Sequence, residues 1–157
     1  MQSSMSPIVN HDSAKIQLMA KVVWTAFLSS VVIYGGLAFA LSSIEGFKPA
    51  GTFVPVSARY IFYLVGIGSA IGGIFLFENG KKPFRKNFGA DNQSAKDILA
   101  PMVMCWALCE TSAIMGLLKF FIFGALDAFW YLSAITVVGM VVCYPSANLF
   151  DKKVGAF

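Results

Sequence analysis

The sequence predicts an all-α integral membrane protein: a single membrane domain, residues 1–157, of four transmembrane helices as two hairpins, both termini cytoplasmic. Three observations predict it. Hydrophobic residues make up 57% of the chain and charged residues only 13%, about half the roughly 25% charged share of soluble domains. The apolar residues gather into four long runs, and the basic residues fall mainly on alternate connections between them. A mean hydropathy of +0.71 agrees with the first of these.

Residues 1–14 read as a polar N-terminal tail carrying the one histidine, His11. No basic segment leads from it into a short apolar stretch with a cleavage site, so no cleaved signal peptide is expected. The spans are expected at about 22–41, 60–77, 98–123 and 128–144. A helix needs roughly 20 residues to cross the hydrocarbon core. The second and fourth runs are near the lower limit, and aromatic residues flank both. Helices are expected rather than strands because unpaired backbone is intolerable in lipid and the runs do not alternate with period two.

The connections carry the orientation. Lys15 and Lys21 precede the first run, Lys81, Lys82, Arg85, Lys86 and Lys96 lie between the second and third, and Lys152 and Lys153 follow the fourth. The other side holds Lys48 and Arg59, with Lys119 near the end of the third run. Cytoplasmic loops carry the excess of Lys and Arg. Ser94 and Asp97 have capping-box spacing at the start of the third helix. Gly124–Asp127 is so short that the third and fourth helices are expected to form a tight hairpin.

Glu110 stands near the middle of the third run, ILAPMVMCWALCETSAIMGLLKFFIF. A central acidic residue costs about 2.5–3.5 kcal/mol on insertion scales. Such residues face the protein interior and mark ion or proton pathways. Low dielectric disfavours the charged carboxylate, so a carboxyl here is suited to loading and releasing a proton. The competing reading is a carboxyl hydrogen-bonded to a neighbouring helix as packing glue. Thr111 and Ser112 either help ligate a proton or sodium beside it or bond their own helix one turn back. Lys119, nine residues on and roughly 13 Å along the axis, is expected to snorkel to the outer interface.

Cys105 and Cys109 are one helical turn apart, and Cys143 lies in the fourth run. With no third ligand legible beside the pair, they are expected to be apolar packing residues, and no metal or cofactor is expected. Gly68 and Gly72 form a G-x-x-x-G that suits close helix approach, with Gly66 and Gly73 beside them. No nucleophile, base pair or phosphate loop is visible, so no catalytic constellation of the chain's own is expected. A net charge of +4, thinly spread, does not suggest nucleic acid.

A glycine-rich helix with Gly66, Gly68, Gly72 and Gly73, a basic cytoplasmic loop, then A-L-x-E-x-x-A-I-x-G-L at Ala107, Leu108, Glu110, Ala113, Ile114, Gly116 and Leu117 resembles the proteolipid, or c, subunit of rotary F-type and V-type ATPases. The resemblance covers about 60–123. It implies a proton-carrying, less readily a sodium-carrying, carboxylate at Glu110, with Leu108, Thr111 and Ser112 around it. Thr111 takes the position of a hydroxyl found in sodium-binding members. It further implies a homo-oligomer or larger membrane complex in a bacterial-type inner (plasma) membrane, with the lipid bilayer as the other partner. The sequence departs from the family in its longer loop, in Met115 where tyrosine is common, and in carrying the acid in its third helix.

Overall fold

The computed structural model describes residues 8–44, 47, 49–50, 55, 57–81 and 96–146. They form four helices and no strand: α1 (Ile8–Ser42), α2 (Ala58–Lys81), α3 (Lys96–Phe123) and α4 (Leu126–Val142). Most of the basic connection between α2 and α3, Ser94 of the expected capping box, and residues 1–7 and 147–157 lie outside the described residues.

Three helices contain stretches long and apolar enough to cross a membrane: Ala14–Ser42, Ala58–Asn79 and Leu99–Phe123. The fourth, with 17 residues, spans about 25 Å and is equally apolar. Outward faces carry Val32, Phe39, Leu64, Ile71, Phe75, Tyr131 and Val138, all exposed. An apolar surface of this extent calls for a lipid environment or a partner to cover it.

Helix α1 starts at Ile8, so its first turns take in residues assigned to the polar tail. No glycine or proline occurs from Ile8 to Tyr34, so no strong helix breaker separates the polar stretch from the apolar run.

Helix α3 is the central element and packs against the other three. Its buried residues Met102, Cys105, Trp106, Cys109, Ser112, Ala113 and Phe120 recur at intervals of three, four and seven, which places them on one side of the helix. Pro101 sits inside its second turn and has no N–H to offer the carbonyl of Asp97.

The connection from α3 to α4 is only Gly124–Ala125. Gly124 has φ +70°, the left-handed conformation that glycine adopts without a Cβ penalty. Its N–H donates to the Phe120 carbonyl at 2.7 Å, and Ala50 N–H donates to the Phe121 carbonyl at 3.1 Å. Ala50, between α1 and α2, is thereby tied to the end of α3.

The expected pairing into two hairpins holds for α3 and α4 as packed neighbours. It does not hold for α1 and α2, which scarcely meet. Helix α1 lies against α3 and α4 instead. Trp24 Nε1–H donates to the Met140 carbonyl of α4 at 2.9 Å, and the polar contacts described next join α1 to α3.

Candidate functional site: a membrane-helix carboxyl and a nearby thiol cluster

Ser30 and Tyr34 are four residues apart on α1 and so share one face of that helix. Both reach Glu110 on α3. The Tyr34 hydroxyl donates to Glu110 Oε1 at 3.0 Å, and the Ser30 hydroxyl is hydrogen-bonded to the same oxygen. The Ser30 hydroxyl also lies 2.6 Å from the Phe27 carbonyl, within donating distance. Glu110 is partly buried.

The proton count of this group is informative. A serine hydroxyl has one proton and two acceptor lone pairs. When Ser30 donates to Glu110, the carboxyl is a charged acceptor served by Ser30 and Tyr34. When Ser30 donates to Phe27, a protonated Glu110 can donate to the Ser30 oxygen while Tyr34 still donates to the carboxyl. At Oε1 the same groups serve both protonation states with no new partner.

The other residues expected around the acid diverge from it. Thr111 Oγ1 donates to the Ala107 carbonyl of its own helix at 2.9 Å. Ser112, fully buried, donates across to the Leu132 carbonyl of α4 at 3.2 Å. Leu108 packs towards α2, its Cβ 3.2 Å from where a Cβ on Gly73 would stand. Successive helix positions are about 100° apart at 3.6 residues per turn, so neighbours in sequence face different helices. Of the four, Glu110 alone is drawn to α1.

Within the chain, the four glycines of α2 fall into two pairs. Among the described residues, no atom beyond the adjoining part of α2 lies within 4 Å of a Cβ placed on Gly68 or Gly72. The close approach is at Gly66 and Gly73. A Cβ on Gly73 would sit 2.9 Å from the Cys105 carbonyl oxygen, and one on Gly66 3.1 Å from a Leu132 methyl. The G-x-x-x-G pair occupies other positions around α2 than the pair that meets α3 and α4.

Lys119 does not snorkel free. It is 5% exposed, and its Nζ stands 3.3 Å from the centroid of the Tyr63 ring on α2. The aromatic face supplies an electrostatic partner for the ammonium.

The three cysteines are all fully buried and free, with their sulfur atoms within 4.8 Å of one another. Cys143, at the C-terminal cap of α4, supplies the third thiol that was not legible beside Cys105 and Cys109. Sequence reasoning also missed Ser30 and Tyr34, whose four-residue spacing inside an apolar run was the available signal.

Compared with known proteins, the chain matches no family model, no curated protein and no solved structure.

Proposed function

We propose that the chain is a four-span membrane protein that binds and releases a proton on Glu110, working as a proteolipid-like subunit within a homo-oligomer or a larger membrane complex. The observation that carries this reading is the Ser30–Glu110–Tyr34 group, in which one set of partners serves the carboxyl both charged and neutral. A proton gained from or lost to water or a neighbouring subunit is then accommodated by a turn of the Ser30 hydroxyl, with no rearrangement of helices.

A proton fits better than sodium. Sodium requires several oxygens free to face one ion, whereas the oxygens gathered at Glu110 are hydrogen-bonded to one another and the Thr111 and Ser112 hydroxyls are bonded elsewhere. The four-span topology rests on the apolar exposed faces of all four helices and on the basic residues concentrated at the two ends and the α2–α3 connection. The excess of Lys and Arg that cytoplasmic loops carry supports a cytoplasmic side for both termini and that connection.

A second reading has its own support. The partners of Glu110 come from α1 of the same chain, so the carboxyl also pins α1 against α3, as an accessory or structural subunit would use it. The two readings separate on Glu110→Gln. Glutamine keeps an oxygen that accepts from Ser30 and Tyr34, yet it has no acid proton to exchange. Proton flux is measured in proteoliposomes holding the chain with its native complex, together with thermal stability. Lost flux with retained stability supports proton carriage; normal flux leaves only the structural role.

A further inference from the structure

We propose that Cys105, Cys109 and Cys143 form a buried all-sulfur site for one soft monovalent cation of the copper(I) class, independent of the chemistry at Glu110. The three sulfurs come from two helices. Cys105 and Cys109 are one turn apart on α3, and Cys143 closes the triangle from the end of α4. Each residue is 0% exposed.

The surroundings hold this arrangement in place. Trp106 Nε1–H donates to the Cys143 carbonyl at 3.0 Å, and Thr136 Oγ1–H donates to the Cys109 carbonyl at 2.9 Å. Glycines leave room for the central sulfur: a Cβ on Gly139 would lie 2.9 Å from Cys109 Sγ, and one on Gly73 3.3 Å from it. A methyl at either position would press on the thiol.

Donor chemistry selects the class of ion. Thiolate and thioether ligands favour copper(I), whereas oxygen-seeking ions need carboxylates or carbonyls. Among the described residues no histidine or carboxylate joins the cluster, and Met102 and Met140 are buried in the same core. Structural zinc takes four ligands, which three thiols do not provide.

Charge points the same way. A buried unpaired charge is costly. One thiolate and two neutral sulfurs around a monovalent ion leave the site neutral. Binding is then Cu⁺ plus a thiol giving a copper–thiolate bond and one released proton, as metal binding at thiols requires. For metal–sulfur bonds of about 2.3 Å at trigonal angles, sulfurs stand about 4 Å apart. The Cys105–Cys143 sulfur pair, now 2.8 Å apart, therefore opens by about an ångström on binding.

The test uses the full chain, reduced and purified in detergent under anaerobic conditions, titrated with copper(I) against a chromophoric copper(I) chelator. One copper per chain is expected, and X-ray absorption at the copper edge should show sulfur neighbours alone. Cys105→Ser, Cys109→Ser and Cys143→Ser should each weaken retention by at least about 100-fold, since even outer-shell changes cost about 10–100-fold. Met104→Leu, at an exposed sulfur, should retain the copper. No uptake by the unsubstituted chain overturns the proposal, as do nitrogen or oxygen neighbours around the bound copper. The absorption measurement needs no variant, so a cysteine substitution that fails to fold does not blunt the test.

Discussion

Tyr34 and Glu110, 76 residues apart in the chain, meet where α1 crosses α3, with the tyrosine hydroxyl donating to the carboxyl at 3.0 Å. This contact and its Ser30 companion make α1 part of the site.

Tyr34→Phe removes the donor and leaves the ring. Hydrogen bonds between membrane helices average about 0.6 kcal/mol and reach about 1.7, so a loss in that range is expected. Ser30→Ala should cost a similar amount. The two changes should not add, because both residues serve one carboxylate oxygen. A double-mutant cycle on reversible unfolding in bicelles measures this. Strict additivity would mean that the two hydroxyls do not share Glu110.

Gly73→Ala is expected to destabilise the isolated chain by about 1–3 kcal/mol, the range for overpacking. The added methyl meets a backbone carbonyl at 2.9 Å, which has little room to yield. Gly68→Ala and Gly72→Ala meet no neighbouring helix within 4 Å among the described residues and should leave chain stability nearly unchanged. Thermal unfolding of the three variants in one detergent checks the order. Equal losses at all three positions would contradict the packing described for α2.

Much of the fold was legible because apolar run length and turn chemistry are local signals. The runs at 98–123 and 128–144 nearly coincide with α3 and α4, and Gly124 marks the turn between them. Which helix lies against which was not legible. That depends on which face of each helix a neighbour takes, so α1 was paired with α2 although it packs on α3 and α4. The same blindness split the site. Glu110 stood out as a charge in an apolar run, but its partners lie far from it in the chain. Thr111 and Ser112, adjacent in sequence, turn away to Ala107 and Leu132. Cys143 stayed apart from Cys105 for the same reason: only the folded bundle brings their sulfurs together.

Topology is checked by labelling with a membrane-impermeant maleimide. The three native cysteines are fully buried and should react little in the folded chain. Single introduced cysteines, Ser4→Cys, Gly51→Cys and Gly89→Cys, then report their own side. Ser4→Cys and Gly89→Cys should label from the cytoplasmic face and Gly51→Cys from the opposite face. Labelling of Gly51→Cys and Gly89→Cys from one side would rule out the four-span arrangement.

Infrared difference spectroscopy across a pH titration, on the chain reconstituted in lipid, tests the proton-binding reading most directly. It detects the carbonyl stretch of a protonated carboxyl, which the carboxylate lacks. The expected result is a reversible carboxyl band that vanishes in Glu110→Gln and shifts in frequency in Tyr34→Phe, where one hydrogen bond to the carboxyl is gone. A difference spectrum identical in the parent chain and Glu110→Gln would show that Glu110 holds one protonation state throughout, and the carboxyl would then serve only to pin α1 to α3.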